Sequence, residues 1–287
     1  MATFFGEVLS VFSRAVDDED EEEEEEEEED REIRRELEKK REVTLTWSPE
    51  ASAAIENSPE HRLGCSSLIL AVGDNATGFV SSHILISGSW EVSGYITLWN
   101  ERCREQAPRS DSTPSTPSSC IFYRCITDPT VMLCQCSCYV AEDQQFQWCE
   151  KVLGCLQKTN LKVTILSTCP VSDFKTPEST YNLPVPFLKA LKTNHYTDGT
   201  PCGPLEQPNI VDGLPAAVMM YCQVWGIPAL YYQCYTDITK LDSITIEAFR
   251  PILSCQSISL LAAKSEKIAE TLQKTVITTE VQSNLYI

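Results

Sequence analysis

The chain has 287 residues, enough for one large or two small domains with a substantial buried core. Its 42% hydrophobic and 8% aromatic content is ordinary for a globular protein, but its formal net charge of −19 is strongly acidic. No cluster of Lys and Arg forms a nucleic-acid footprint, and no run of about 18 apolar residues predicts a spanning helix, so neither nucleic acid nor direct membrane insertion is expected.

The charge is unevenly placed. Between Asp17 and Glu42 there are eighteen acidic and six basic side chains, a net of −12, which leaves −7 for the rest of the chain. The opening "MATFFGEVLSVFSRAVDDED" has no basic residues before its short apolar patch, which makes it a poor signal peptide. Asp17 to Asp30 is almost pure carboxylate, with nothing apolar to fold around. It reads as a solubilising tail, or as a steering element for basic surfaces. "REIRRELEKKREV" follows, where Glu36 and Lys40 form a favourable i,i+4 pair and Ile33 and Leu37 share a face. We therefore assign residues 1–42 as an acidic, largely disordered segment that could hold one short helix.

From Val43 the pattern alternates apolar strands with helical periods. "SSLILAV" (66–72) predicts a strand, "GDNATGFVSSHIL" a turn into a helix, and "YITLW" (95–99) a second strand. Residues 107–119 are a Pro/Ser/Thr-rich surface loop. "CIFYRC" and "VMLCQCSCYV" read as strands, and "AEDQQFQWCEKVLGCLQ" as a helix with Phe146, Cys149, Val152 and Leu153 on one face. "LKVTILST" is the next strand, and "PFLKALK" is read as a short helix within a Pro-rich stretch. "GLPAAVMMYCQVW" predicts a buried helix feeding the strand "GIPALYYQCYT". "SITIEAFRPILS" and "KSEKIAETLQKTVI" predict the last helices. Near-continuous apolar strands separated by helices predict an α/β class: a layered α/β/α domain over residues 43–277 with a mostly covered central sheet. A flexible tail over 278–287 follows.

Three stretches invite a chemical reading. The 14 cysteines read as reduced, buried thiols, because the chain is large enough to fold without staples and many sit inside apolar runs. Cys134, Cys136 and Cys138 could suggest zinc, yet a spacing of two inside a strand puts all three on one sheet face, which favours core packing. "GDNATG" (73–78) is a partial dinucleotide fingerprint with Asn75 where the pyrophosphate needs a glycine, so a structural strand-to-helix turn is the preferred reading. Asn75-Ala76-Thr77 also fits a glycosylation sequon, with no export signal to support it. His61, His83 and His195 lie in three different contexts, and no nucleophile elbow or zinc-protease pair accompanies them.

Long unbroken words carry a family resemblance. They are "MLCQCSCYVAEDQQFQW" (132–148), "FLKALKT" (187–193), "LEQPNIVDGLPAAV" (205–218) and "CYTDITKLDSITIEAFRPIL" (234–253), with the acidic N-terminal segment and the final "QSNLYI". Along its whole length the chain resembles the proteasome assembly chaperone family. The resemblance implies an α/β sandwich related to nucleoside phosphorylases but without catalysis, and hence no catalytic residue, cofactor or metal. It also implies a heterodimer with proteasome assembly chaperone 2 that binds 20S proteasome α-subunits, promotes α-ring assembly and prevents α-ring dimerisation. The family's hydrophobic-Tyr-X tail motif maps onto Leu285, Tyr286 and Ile287. A cytoplasmic location is expected, with endoplasmic-reticulum association through a partner. Two other readings remain distinct: an α/β enzyme of nucleoside-phosphorylase type using the turn at 73–78, and a zinc-binding regulator using Cys134, Cys136 and Cys138.

Overall fold

A computed structural model describes residues 28–102, 119–177, 183–238, 240–261 and 268. The chain divides into two units, Met1–Lys40 and Arg41–Ile287. The described part of the first is a single helix, α1 (Glu28–Lys40), with Lys39 and Lys40 in its last turn, where they complement the negative end of the helix dipole. Its first three residues, Glu28 to Asp30, belong to the carboxylate stretch expected to be disordered.

The second unit is built on one eight-stranded sheet. Its strands are β1 (Thr44–Trp47), β2 (Ser67–Val72), β3 (Trp90–Thr97), β4 (Ser119–Cys125), β5 (Val131–Cys136), β6 (Lys162–Pro170), β7 (Phe187–Lys192) and β8 (Ala229–Thr236). Their spatial order is β1-β3-β4-β5-β2-β6-β8-β7. The four central strands β5, β2, β6 and β8 are parallel, and the remaining pairings are antiparallel. Parallel strands need long crossovers, and α3 (Asp74–His83), α4 (Glu142–Gly154) and α5 (Gly213–Val224) lie on them, while α2 (Pro49–Asn57) precedes β2 and α6 (Ser243–Ala248) and α7 (Gln256–Ser259) follow β8.

Side-chain alternation divides the core in two. On one face Leu68, Leu70, Cys134, Cys136, Val163, Ile165, Ala229 and Tyr231 pack with Trp148 and Val152 of α4 and with Val218 and Cys222 of α5. On the other face Ile69, Ala71, Leu133, Leu166, Leu230 and Tyr232 pack with Phe79 and Val80 of α3, with Ile246 of α6 and with Phe249. A sheet buried on both faces requires strands apolar at every position, which is why β8 is buried along its whole length and β2 reads as one hydrophobic run. This is the expected three-layer α/β/α arrangement.

Local signals agree with several element ends. Ser48 caps α2 by accepting from the Ala51 N–H at 3.2 Å, and Pro49 stands at the first helical position, where a missing N–H costs nothing. Gly73 enters α3 with φ of 87°, a conformation in which a Cβ is strained. Glu142 and Asp143 occupy the first turn of α4.

Four local expectations change. "FLKALK" is strand β7, paired antiparallel with β8, and not a helix. Its Leu, Lys and Ala favour helix intrinsically, but pairing with β8 and burial of Ala190 decide its state. On α4, Phe146 is 67% exposed, and the buried stripe is Gln144, Trp148, Cys149, Val152 and Leu153. Strand β5 ends at Cys136, so Cys138 belongs to the following turn. Ser119, placed in the surface loop, is the first residue of β4. Residues 107–118 of that loop, most of the final predicted helix, and the tail lie outside the described residues.

The sheet's two edges are both short or covered. β1 has four residues, and β7 is flanked on its open side by the chain at 203–205, which bonds to the Ala190 N–H and C=O at 2.9 and 2.7 Å. Such edges resist pairing with a foreign strand.

Candidate functional site

The tail residues Leu285, Tyr286 and Ile287 lie outside the described residues. Within the described residues, the carboxyl ends of the parallel strands are where an α/β sheet ordinarily binds a ligand. Here the turn from β2 into α3 is engaged by the protein itself. The Asn75 side chain is 1% exposed, donates to the Lys240 carbonyl at 3.1 Å and accepts from the Asp242 N–H at 2.8 Å. Asp242 in turn caps α6 by accepting from the Thr245 N–H at 2.9 Å. The residue that departs from the dinucleotide pattern is thus the residue that ties down the next loop. The same burial and bonding remove Asn75 from the surface that a glycosylation acceptor needs.

Asp74, the first residue of α3, has its carboxyl pushed above the ordinary range by burial. The three histidines do not assemble. His61 follows α2 and His195 follows β7, both exposed, whereas His83 is buried at the end of α3. His83 stacks on Phe79 with ring centroids 4.7 Å apart, shares a 2.8 Å hydrogen bond between Nδ1 and Ser82 Oγ, and lies 3.3 Å from Glu247 through Nε2. Burial lowers its pKa more than Glu247 raises it.

A polar hub that sequence reading did not single out lies at the start of α4. Gln144, 1% exposed, donates to the Arg41 and Trp99 carbonyls at 2.7 and 2.9 Å and accepts from Asn100 Nδ2 at 3.0 Å. Beside it the Arg41 guanidinium grips Asp143 with two bonds of 2.8 and 3.0 Å and also pairs with Glu101. Arg41 holds the Asp143 carboxyl below the ordinary range. The word "AEDQQ" thus joins the chain before β1, the chain after β3 and helix α4. Its signal in the sequence was a run of amides and acids ahead of an apolar face, which reads equally well as a solvated helix start.

No disulfide joins the thirteen described cysteines to one another, and nine of them are buried. Cys134 and Cys136 do share a sheet face, as alternation predicts. The thiols that converge, however, are Cys120, Cys136 and Cys138, not the three of the CQCSC word. Hydrogen bonding with Cys134, and then with Cys136 and Cys138, holds the Cys120 thiol well below its usual range against the opposing effect of burial.

One surface has the chemistry of a protein contact. On α5, Met220 and Val224 are 69% and 78% exposed at a spacing of four, and Trp225 follows at 57%. The Lys158 ammonium sits 3.1 Å from the centre of the Trp225 ring.

The three-layer architecture is shared with solved structures whose titles concern proteasome factors. Pyrococcus furiosus PbaB, titled an archaeal proteasome activator, superposes with a TM-score of 0.54 at 10% identity, over 86% of this chain and 100% of that one. Pyrococcus furiosus PbaA, titled an archaeal homolog of proteasome-assembly chaperone, gives 0.51 at 11% identity, over 84% of this chain and 94% of that one. At such identities the likeness establishes the fold alone. Sequence then establishes the family. A family model described as Proteasome assembly chaperone 4 matches residues 1–287. Relatives called Proteasome assembly chaperone 1 match from Xenopus tropicalis at 73% identity over the whole of both chains, and from Homo sapiens at 51% over 99% of each. The chain belongs to the proteasome assembly chaperone family.

Proposed function

We propose that this chain is a non-catalytic chaperone of 20S proteasome assembly. It acts as a heterodimer with proteasome assembly chaperone 2, binds α-subunits, promotes α-ring assembly and prevents α-ring dimerisation. The observation that carries this reading is full-length family membership at up to 73% identity to relatives named as proteasome assembly chaperones. The exposed apolar side chains of α5 suit a protein that works by contact. The Asn75 bonds at the β2–α3 turn favour a structural role for that segment over the nucleoside-phosphorylase alternative. The proposed location is the cytoplasm, with endoplasmic-reticulum association through a partner. No described helix is long and apolar enough to cross a membrane.

Leu285, Tyr286 and Ile287 are the proposed α-ring anchor, by capture of the terminal carboxylate beside pockets for the side chains. Burying Leu285 and Tyr286 contributes about 1.5–3 kcal/mol each. A charge-assisted bond to the carboxylate adds about 1.5–3 kcal/mol. Ordering the tail and losing rigid-body freedom offset much of this. The tail alone is therefore a weak ligand, and tethering to a docked domain makes it effective through local concentration.

The test is deletion of residues 285–287 followed by co-purification from cells. Recovery of α-subunits should fall several-fold, while the partner chaperone is retained in full. Undiminished recovery of α-subunits would remove the tail as an anchor. Loss of the partner as well would place these residues in the heterodimer.

A further inference from the structure

Three sulfurs meet between β4, β5 and the turn that leaves β5. Cys120 stands directly opposite Cys136 in the antiparallel β4–β5 register, with the Sγ atoms 3.1 Å apart. Cys138 Sγ lies 3.6 Å from Cys120 Sγ and 4.0 Å from Cys136 Sγ. Cys120 and Cys136 are fully buried, and Cys138 is 9% exposed. The Trp148 indole, on α4 in the same core cluster, is also buried, with its N–H beside the Cys120 thiol.

Core filling explains each thiol singly, because cysteine packs as a small hydrophobe. It does not explain their arrangement. Non-bonded heavy atoms pack best at roughly 3.5–4.0 Å, and the Cys120–Cys136 separation is shorter. Filling also gives no reason for the chain after β5 to bring a third sulfur back beside the first two. A divalent cation with metal–sulfur bonds of about 2.3 Å spaces its sulfurs roughly 3.8 Å apart in a tetrahedron. The observed triangle of 3.1, 3.6 and 4.0 Å reaches that size by shifts of a few tenths of an ångström per sulfur, outward on the shortest edge and inward on the longest.

We propose that Cys120, Cys136 and Cys138 form a thiolate site for a soft divalent cation of the zinc class. The donors are all sulfur, which selects such ions over calcium or magnesium. Binding forms three metal–sulfur bonds and releases three thiol protons to solvent. Three thiolates on a divalent ion leave one net negative charge, and the Trp148 N–H beside Cys120 is a donor to offset it. Cys138, at the rim, gives the ion its entry.

The full-length chain, purified under reducing conditions without chelator, should carry about one equivalent of zinc per chain, held by the three thiolates. After metal removal, added cobalt should give a thiolate charge-transfer band that saturates at the same ratio and raises the melting temperature. Cys120→Ser and Cys138→Ser should lose the band, and Cys222→Ser, a buried thiol of α5, should keep it. Because Cys120 is deep in the core, Cys138→Ala at the rim is the deciding variant, checked by near-ultraviolet circular dichroism. A folded Cys138→Ala that still takes up a full equivalent overturns the site. So does a reduced wild-type chain with neither zinc nor a cobalt band. Prompt pairing of Cys120 with Cys136 by a mild oxidant in a metal-free wild type would replace the site with a redox pair.

Discussion

At the residue scale, two buried polar side chains on α3 do different work. Asn75 uses both ends of its amide to hold the segment at 240–242, so Asn75→Ala leaves a carbonyl and an N–H without partners. A loss of about 1–3 kcal/mol is expected, read from the urea midpoint. His83 reports on pH. Its pKa is lowered in the folded state, chiefly by burial, with Arg250 acting in the same sense and Glu247 and the Phe79 carbonyl opposing. The unfolded state therefore binds the proton more readily. The stability that His83 contributes is fully present above its unfolded pKa of about 6.5 and is lost as pH falls below that value. His83→Gln should flatten this part of the stability profile between pH 7.5 and pH 5. A profile that keeps its full slope in the variant would assign the titration elsewhere.

At the element scale, the strand β1 depends on a glycine two strands' width from the parallel core. Trp47 is registered against Gly94, and a Cβ at Gly94 would stand 2.7 Å from the Trp47 ring and 2.8 Å from the Thr46 carbonyl oxygen. The ring could turn aside, but the carbonyl belongs to the backbone. Gly94→Ala should cost about 1–3 kcal/mol and speed amide hydrogen exchange in residues 44–47. Exchange there at the wild-type rate would mean that β1 absorbs the methyl. Legibility in the sequence divides along the same line. β2, β6 and β8 could be read directly, because a doubly covered parallel strand is apolar throughout. β1 was not singled out, since "TLTW" is too short and too exposed to carry a pattern, and only its pairing with β3 defines it. "FLKALK" was misread because six residues containing Leu, Ala and Lys suit a helix as well as a strand, and its partner is supplied from about forty residues further along the chain. The thiol triangle was half legible. The CQCSC word announced Cys136 and Cys138, but Cys120 joins them only through the β4–β5 register.

At the scale of the whole molecule, the sheet is assembled out of sequence order. β2, the first of its central strands, has both of its neighbours still to come: Ser67 aligns with Val131 on one side and with Lys162 on the other. At a synthesis rate of roughly 5–20 residues per second, about 3–13 s separate Ser67 from the arrival of Val131, and about 5–19 s from that of Lys162. For that interval Leu68, Ile69, Leu70, Ala71 and Val72 are an unpaired apolar ribbon on a nascent chain. A protein whose relatives are named for helping other chains assemble is thus itself exposed, early in its own synthesis, to the same hazard of premature association.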